Sequence, residues 1–429
     1  MIKGIEKMNM LNRIWEIEEK DIQKSGVFWN MMSSGINSVV SLFLLLIVTR
    51  SVGVAEAGIF SLGFSTAQMM LTIGNYGMRN FQVTDLNDKY SMPIYLSSRI
   101  VTNIIMMMAA VVFVLIEGYN WEKGIITLLL CLLKATDAMD DIYGGFYQKR
   151  GRLDISGKLM AIRIIFYVGV FILILLISRN LIHACFGAVI ASSVSLVILV
   201  WSTRVIFKLE NPELNIERIY SLLKECLPLC ISMFLLLYMG NAPKYAIDNC
   251  LSDTLQACYN YLFMPCFIIN LFVNFALQPL LVRLSQSWLH RKYKQFLMLC
   301  AAILGGATAL ALFVVVVGRL IGCQLLSIVF GVQLTQYKNV FTVLLIGGGF
   351  YAFSIIGQVI LTVMRKQIYL FLGFGIASGI AFVISEPLVQ RWELMGAGYA
   401  YMIAAGTLFL IQMIMIVYFY RNGRKHEES

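Results

Sequence analysis

Charge is scarce in this chain of 429 residues: Asp, Glu, Lys and Arg together make up 14 %. A water-soluble protein of that length covers its surface with far more, so a soluble globular fold is excluded. Histidine is scarcer still, and His183, His290 and His426 lie far apart with no zinc or iron spacing, so no metal site is expected. The nine Cys include no Cys-x-x-Cys pair, and Cys131, Cys226, Cys230, Cys266 and Cys300 fall within or beside apolar runs. They read as small packing residues. Long polar stretches are also missing. The longest connection, around Phe207 to Leu222, leaves no room for a soluble catalytic domain or a nucleotide-binding fold. Gly347, Gly348 and Gly349 sit in an apolar run without a following Lys-Ser, which suits close helix packing rather than phosphate binding. No cofactor, no catalytic residue and no ATP-driven step are expected of this chain alone.

What the chain does have is about a dozen apolar stretches, each near the roughly 20 residues a helix needs to cross a bilayer. Hydrophobic residues make up 59 % of it, and the mean hydropathy is +0.77. Long runs such as Ser38 to Val48 lack the alternation of a membrane barrel, so the spans are helices whose amides bond within their own segment. The spans fall near 27–49, 57–76, 97–116, 124–147, 158–177, 181–206, 222–241, 254–281, 295–317, 339–361, 368–388 and 395–420. The fold class is therefore an all-α integral membrane protein of about 12 transmembrane helices. Met1 to Lys24 mixes charges of both signs and reads as a cytoplasmic lead-in, with Ile14, Trp15, Ile17 and Ile22 as an interfacial stripe or one face of a solvated helix.

Basic residues set the orientation, because Lys- and Arg-rich loops stay in the cytoplasm. With both termini inside, the inner segments hold 26 of the 34 Lys and Arg and the outer segments 7, leaving Lys134 within the fourth span. Arg79, Arg99 and Arg163 are counted among the inner ones. The net charge of +10 then sits on cytoplasmic loops beside anionic lipid, and no nucleic-acid partner is needed to explain it.

The chain divides near its middle. The expected organisation is a lead-in over 1–26, an N-lobe over 27–206, a cytoplasmic linker over 207–221, a C-lobe over 222–420 and a tail over 421–429. A similar pattern follows the first span of each half: Glu56-Ala57-Gly58-Ile59-Phe60, and Gln256-Ala257-Cys258-Tyr259. Two six-helix halves are a common transporter plan, with the binding site near the midplane.

Function is most visible where charge enters the spans, since a charge at the bilayer centre costs about 2.5–3.5 kcal/mol and tends to face a cavity or a partner. The fourth span carries Lys134, Asp137, Asp140 and Asp141, with Lys134, Asp137 and Asp141 along one face. An internal salt bridge and a role in substrate or ion handling both fit. The Asp137-x-x-Asp140-Asp141 spacing also evokes the metal-binding motif of sugar-nucleotide transferases, a reading weakened by the absence of a soluble fold. Arg50 and Arg79 close the first two spans, as snorkelling anchors or ligand contacts. The seventh span holds Pro228 near one end and Pro243-Lys244 near the other, suited to bending or gating, with Asp248 four residues after Lys244.

These residues resemble a known family. Asn241-Ala-Pro-Lys-Tyr-Ala-Ile-Asp248, Gln256-Ala257, Met264-Pro265 to Asn270-Leu271 and Gln278-Pro279-Leu280 are similar to polysaccharide-biosynthesis flippases of the Wzx type, in the MOP exporter superfamily. So are Thr49-Arg50-Ser51-Val52-Gly53, Asp141 with Gly144 to Gln148, Arg152-Leu153-Asp154, Met364-Arg365-Lys366-Gln367 and Gly396 to Tyr401.

The resemblance implies two six-helix lobes around a cationic central cavity that opens alternately to each side. Its cargo would be an undecaprenyl-diphosphate-linked oligosaccharide, moved from the inner to the outer leaflet of a bacterial plasma membrane. A diphosphate needs Arg or Lys in a partly dry site, and Arg50, Arg79, Lys134, Lys244 and Arg283 are the candidates. Tyr76, Tyr143, Tyr238 and Tyr245 are candidates for stacking on sugars, or for core packing. A proton or sodium ion at Asp137, Asp140, Asp141 or Asp248, or the membrane potential, is left open as the drive. The partners implied are the glycan lipid, the bilayer and polysaccharide assembly proteins. A drug or cation antiporter of the same superfamily, a polysaccharide polymerase or ligase, and a non-transporting scaffold are the alternatives. Basic residues in the spans weigh against the first, and the lack of a long outer loop against the second.

Overall fold

The computed structural model describes residues 15, 18, 21–85, 88–208, 210–364 and 366–428. Helices account for almost all of them, and no strand occurs among the described residues. In chain order they are α1 (Ile22–Ser51), α2 (Val54–Asn75), α3 (Met78–Thr84), α4 (Met92–Ile116), α5 (Trp121–Lys149), α6 (Leu153–Ser178), α7 (Leu181–Ser202), α8 (Ile216–Cys250), α9 (Asp253–Leu289), α10 (Tyr293–Val317), α11 (Cys323–Phe330), α12 (Lys338–Val363) and α13 (Leu370–Glu428). Side chains cap several starts: Asn120, Asn180 and Ser252 accept from the backbone N–H groups of Lys123, His183 and Leu255. Pro93 sits in the first turn of α4, where its missing N–H costs nothing.

Nine stretches among the described residues are long and apolar enough to cross a membrane. One of them, Leu370–Arg421, contains two helices, because Trp392 (φ −131°, ψ 16°) and Glu393 (φ 47°, ψ −129°) break α13. At 29 and 37 residues, α5 and α9 are also of crossing length, and four charged side chains keep α5 from reading as apolar. Twelve long helices result among the described residues, as expected, and the chain is a multi-pass all-α membrane protein. Large apolar side chains such as Leu115, Ile177, Phe382 and Ile414 face outward, the arrangement lipid favours, while the most buried large side chains include Arg99 and Arg163.

The chain forms two compact units, Met1–Cys230 and Ile231–Ser429, whose boundary falls inside α8 rather than in the 207–221 segment. In the first unit α1 packs on α6, α2 on α5 and α6 on α7. A Cβ at Gly157 of α6 would lie 2.5 Å from the Trp29 carbonyl carbon of α1, so the two helices cross in backbone contact. The first turns of α8 belong to this unit: Ile219, Leu222 and Cys226 join a core with Met78, Ile94, Tyr95 and Ile142. In the second unit α12 is the centre, packing on α9, α10 and α13.

The N-terminal lead-in departs from expectation. Ile14 and Ile17 lie outside the described residues, but Trp15 is fully buried rather than interfacial. It packs with Phe146, Tyr147, Ile155, Leu159 and Leu199, donates from Nε1 to Ser202 Oγ (3.0 Å), and its carbonyl accepts from Arg152 Nη2 (2.7 Å). Its ring fills an apolar cluster while its N–H keeps a hydrogen-bond partner, the usual condition for burying an indole.

Candidate functional site

Helix α5 carries three Asp and one Lys through the middle of the first unit, and burial of so many charges requires cations from neighbouring helices. The structure supplies them in two groups. In the first, Asp137 lies between Lys134 (2.8 Å) and Arg163 of α6 (2.7 Å), and Asp140 also pairs with Arg163 (3.0 Å). Arg163 Nη1 further donates to Ser192 Oγ (2.8 Å) and Thr136 Oγ1 (3.3 Å), so α5, α6 and α7 are joined through one guanidinium. Two cations and two carboxylates make this group neutral.

The second group is not balanced. Asp141 holds Arg99 of α4 at 3.0 Å and Arg79 of α3 at 3.3 Å. Arg99 is 0 % exposed and also donates to the Gly74 carbonyl and to Asn75 Oδ1, while Arg79, 29 % exposed, donates to Gln148 Oε1 (3.0 Å) and reaches Ser156 Oγ (3.5 Å). Two guanidiniums share one carboxylate, leaving one positive charge in excess. The glycines of Gly144-Gly145 make room for it: a Cβ at Gly144 would lie 2.7 Å from Ser156 Oγ and 3.4 Å from Arg79 Nη1.

The sequence-derived candidates therefore separate. Lys134, Asp137, Asp140, Asp141 and Arg79 gather along α5. Lys134 is buried, bound to Asp137, with its Nζ 4.7 Å from the Phe64 ring. Arg50 ends α1 with an exposed side chain, and Arg283 is exposed on α9. In the second unit Lys244 is buried with its Nζ 5.0 Å from the Phe263 ring, Tyr238 stacks on Tyr245 at 6.3 Å, and Asp248 is half-buried. Pro243 is buried and Pro228 exposed, both within the unbroken run of α8. Tyr76 and Tyr143 are half-buried against the core around Met78 and Ile142.

Arg99 and Arg163 are the residues sequence reasoning misplaced. Both count with the cytoplasmic segments in the orientation argument, yet both are buried inside helices, 0 % and 1 % exposed. The signal was present in α5 itself, where three Asp facing one Lys demand two further cations nearby.

Between α3 and α4 the Asp85 carboxylate accepts from the Lys89 and Tyr90 N–H groups and the Tyr95 hydroxyl. Burial raises the Asp85 pKa, but these hydrogen bonds and the Lys149 charge outweigh it and hold the carboxyl below its ordinary range. Lys89 and the Tyr90 hydroxyl both reach Glu225 of α8, at 2.6 and 3.1 Å.

With this geometry in view, residues 24–288 match the family described as polysaccharide biosynthesis protein. The chain belongs to that family. This polysaccharide biosynthesis family member is also 25 % identical over 403 residues to the capsular polysaccharide biosynthesis protein CapF of Staphylococcus aureus, covering 91 % of this chain and 98 % of that one. Among solved structures, an inward-facing multidrug resistance MATE family transporter of the MOP superfamily superposes with a TM-score of 0.62 at 13 % identity, over 90 % of this chain and 96 % of the other. A mutant of the Vibrio cholerae MATE transporter VcmN gives 0.61 at 12 % identity, over 95 % and 98 %. At such identities the likeness shows the fold alone, which the family member shares with these transporters.

Proposed function

We propose that the protein flips an undecaprenyl-diphosphate-linked oligosaccharide from the cytoplasmic to the outer leaflet of a bacterial plasma membrane, by alternating access and with both termini in the cytoplasm. Family membership and the MOP fold support a transport role in polysaccharide assembly rather than catalysis. The observation that carries the anionic cargo is the Arg79–Asp141–Arg99 group, where two guanidiniums share one carboxylate and Arg79 is partly exposed. A phosphate oxygen completes the coordination of such an arginine with charge-assisted hydrogen bonds. Lys244, Arg50 and Arg283 are further contacts in this reading, and the paired Asp137 and Asp140 are where a coupling ion would act. Lys134, already bound to Asp137, serves the network more than the cargo.

The test is reconstitution in liposomes with a fluorescent undecaprenyl-diphosphate oligosaccharide and an outside-only quencher. Wild type should expose the probe with time, and Arg79→Ala and Lys244→Ala should slow it about tenfold or more while retaining the fold. No exposure by wild type under proton, sodium and voltage gradients alike, with a matched glycan, overturns the proposal.

A further inference from the structure

A separate pocket of about 360 Å³ opens within the first unit, lined by Gln82 of α3, Asp88 and Tyr90 of the 85–91 loop, Met92 and Tyr95 of α4, and Phe146, Lys149 and Arg150 at the end of α5. We infer that it binds a phosphorylated polyol, with the phosphate on Lys149 and Arg150 and the hydroxyls on Gln82. Three observations place that chemistry there. Arg150 is exposed, its guanidinium carbon 4.6 Å from the Phe146 ring centroid and 5.8 Å from that of Phe207, and a guanidinium held against aromatic rings keeps N–H donors for an oxyanion. Lys149 lies beside it and pairs with Asp88 at 2.6 Å, an 81 % exposed carboxylate that an arriving phosphate can displace.

The third observation is Gln82, which is 2 % exposed and poorly satisfied. Its Nε2 has Met92 Sδ, a weak acceptor, at 3.4 Å, and its Oε1 has no hydrogen-bond partner. A buried amide wanting both a donor and an acceptor is matched by a hydroxyl, which offers both. The rings of Tyr95 and Phe146 give the C–H face of a polyol an apolar surface. Asp88 sits at φ 49° in the loop that Lys89 and Tyr90 tie to Glu225, so displacing it from Lys149 is felt at the start of α8.

This inference stands apart from the transport reading, since binding is measured without translocation. The same chemistry can arrive as a soluble sugar phosphate or as a glycerophosphate headgroup, and the arms of the test separate them. Full-length protein in phosphatidylcholine nanodiscs is titrated with glucose 1-phosphate, glycerol 3-phosphate and inorganic phosphate by calorimetry. A second preparation contains phosphatidylglycerol, with retained lipid counted by native mass spectrometry.

A polyol phosphate should bind about tenfold tighter than inorganic phosphate, a difference readily resolved. The Lys149→Gln/Arg150→Gln pair should weaken it about tenfold. Asp88→Asn should tighten it severalfold, because Asn tolerates positive φ and frees Lys149. Loss of the soluble titration in phosphatidylglycerol discs, with less retained lipid in the Lys149/Arg150 pair, assigns the headgroup; an unchanged titration assigns the soluble source. No saturable binding in either preparation, equal binding of inorganic phosphate, or weaker binding by Asp88→Asn overturns the inference.

Discussion

Arg99 Nη2 lies 3.0 Å from Asp141 Oδ2, with the arginine side chain wholly buried. Removing the carboxylate leaves a buried guanidinium with neutral partners only, so Asp141→Asn should destabilise the protein by about 3–5 kcal/mol. Arg79→Ala should cost much less, since Asp141 keeps Arg99 and Arg79 is partly exposed. Thermal unfolding in detergent ranks the two, and an equal loss would show that the two arginines are not distinguished by burial.

Lys134 and Asp137 form a pair that a double-mutant cycle can isolate. Asp137→Asn alone strands Lys134 in the core, whereas Lys134→Met with Asp137→Asn leaves Arg163 its second carboxylate, Asp140. The double variant should recover about 1–3 kcal/mol relative to the additive sum. Additivity would mean the pair contributes no coupling.

Asp85 gives a pH dependence. Its carboxyl is held below the ordinary range in the folded protein, so its contribution is present above an unfolded pKa of about 3.9 and is lost as pH falls through the lower folded value. Melting temperatures followed from pH 7 to pH 3 should fall less steeply in Asp85→Asn than in wild type, from a lower starting value. Parallel curves would remove Asp85 from the acid transition.

Trp15 predicts a stabilising role for a segment outside the helices. Trp15→Ala should cost about 3–5 kcal/mol through lost packing, and Trp15→Phe about 1 kcal/mol through the lost Ser202 hydrogen bond. Chemical unfolding of the three proteins checks the order. A neutral Trp15→Ala would place the indole at the surface.

The twelve helices were legible because lipid demands long apolar runs, and even the break of α13 at Trp392 and Glu393 falls between the last two expected spans. The family resemblance, drawn from motifs in both halves, agrees with the match over 24–288. What hydropathy hid was the polar beginning of two helices. Helices α4 and α6 start at Met92 and Leu153, earlier than the expected 97 and 158, because their first turns pack on protein instead of lipid. Arg99 and Arg163 fall just inside the expected spans, and counting them with the cytoplasmic segments hid their place in the core. Charge balance along α5, a property of several helices together, was the signal that apolar periodicity in one helix cannot carry. Trp15 escaped for a similar reason: its partners, Ser202 and Arg152, are distant in sequence.

The position of Arg163 on the helix after α5 also constrains how the chain is made. Emerging alone, α5 would bring Lys134 and three carboxylates into the bilayer, at about 2.5–3.5 kcal/mol for each charge near the centre. The second cation of the Asp137 and Asp140 group, beside Lys134, reaches the membrane only with α6, and one for Asp141 waits on α4, already synthesised. Insertion of α5 and α6 together, against α4, spares the chain that cost.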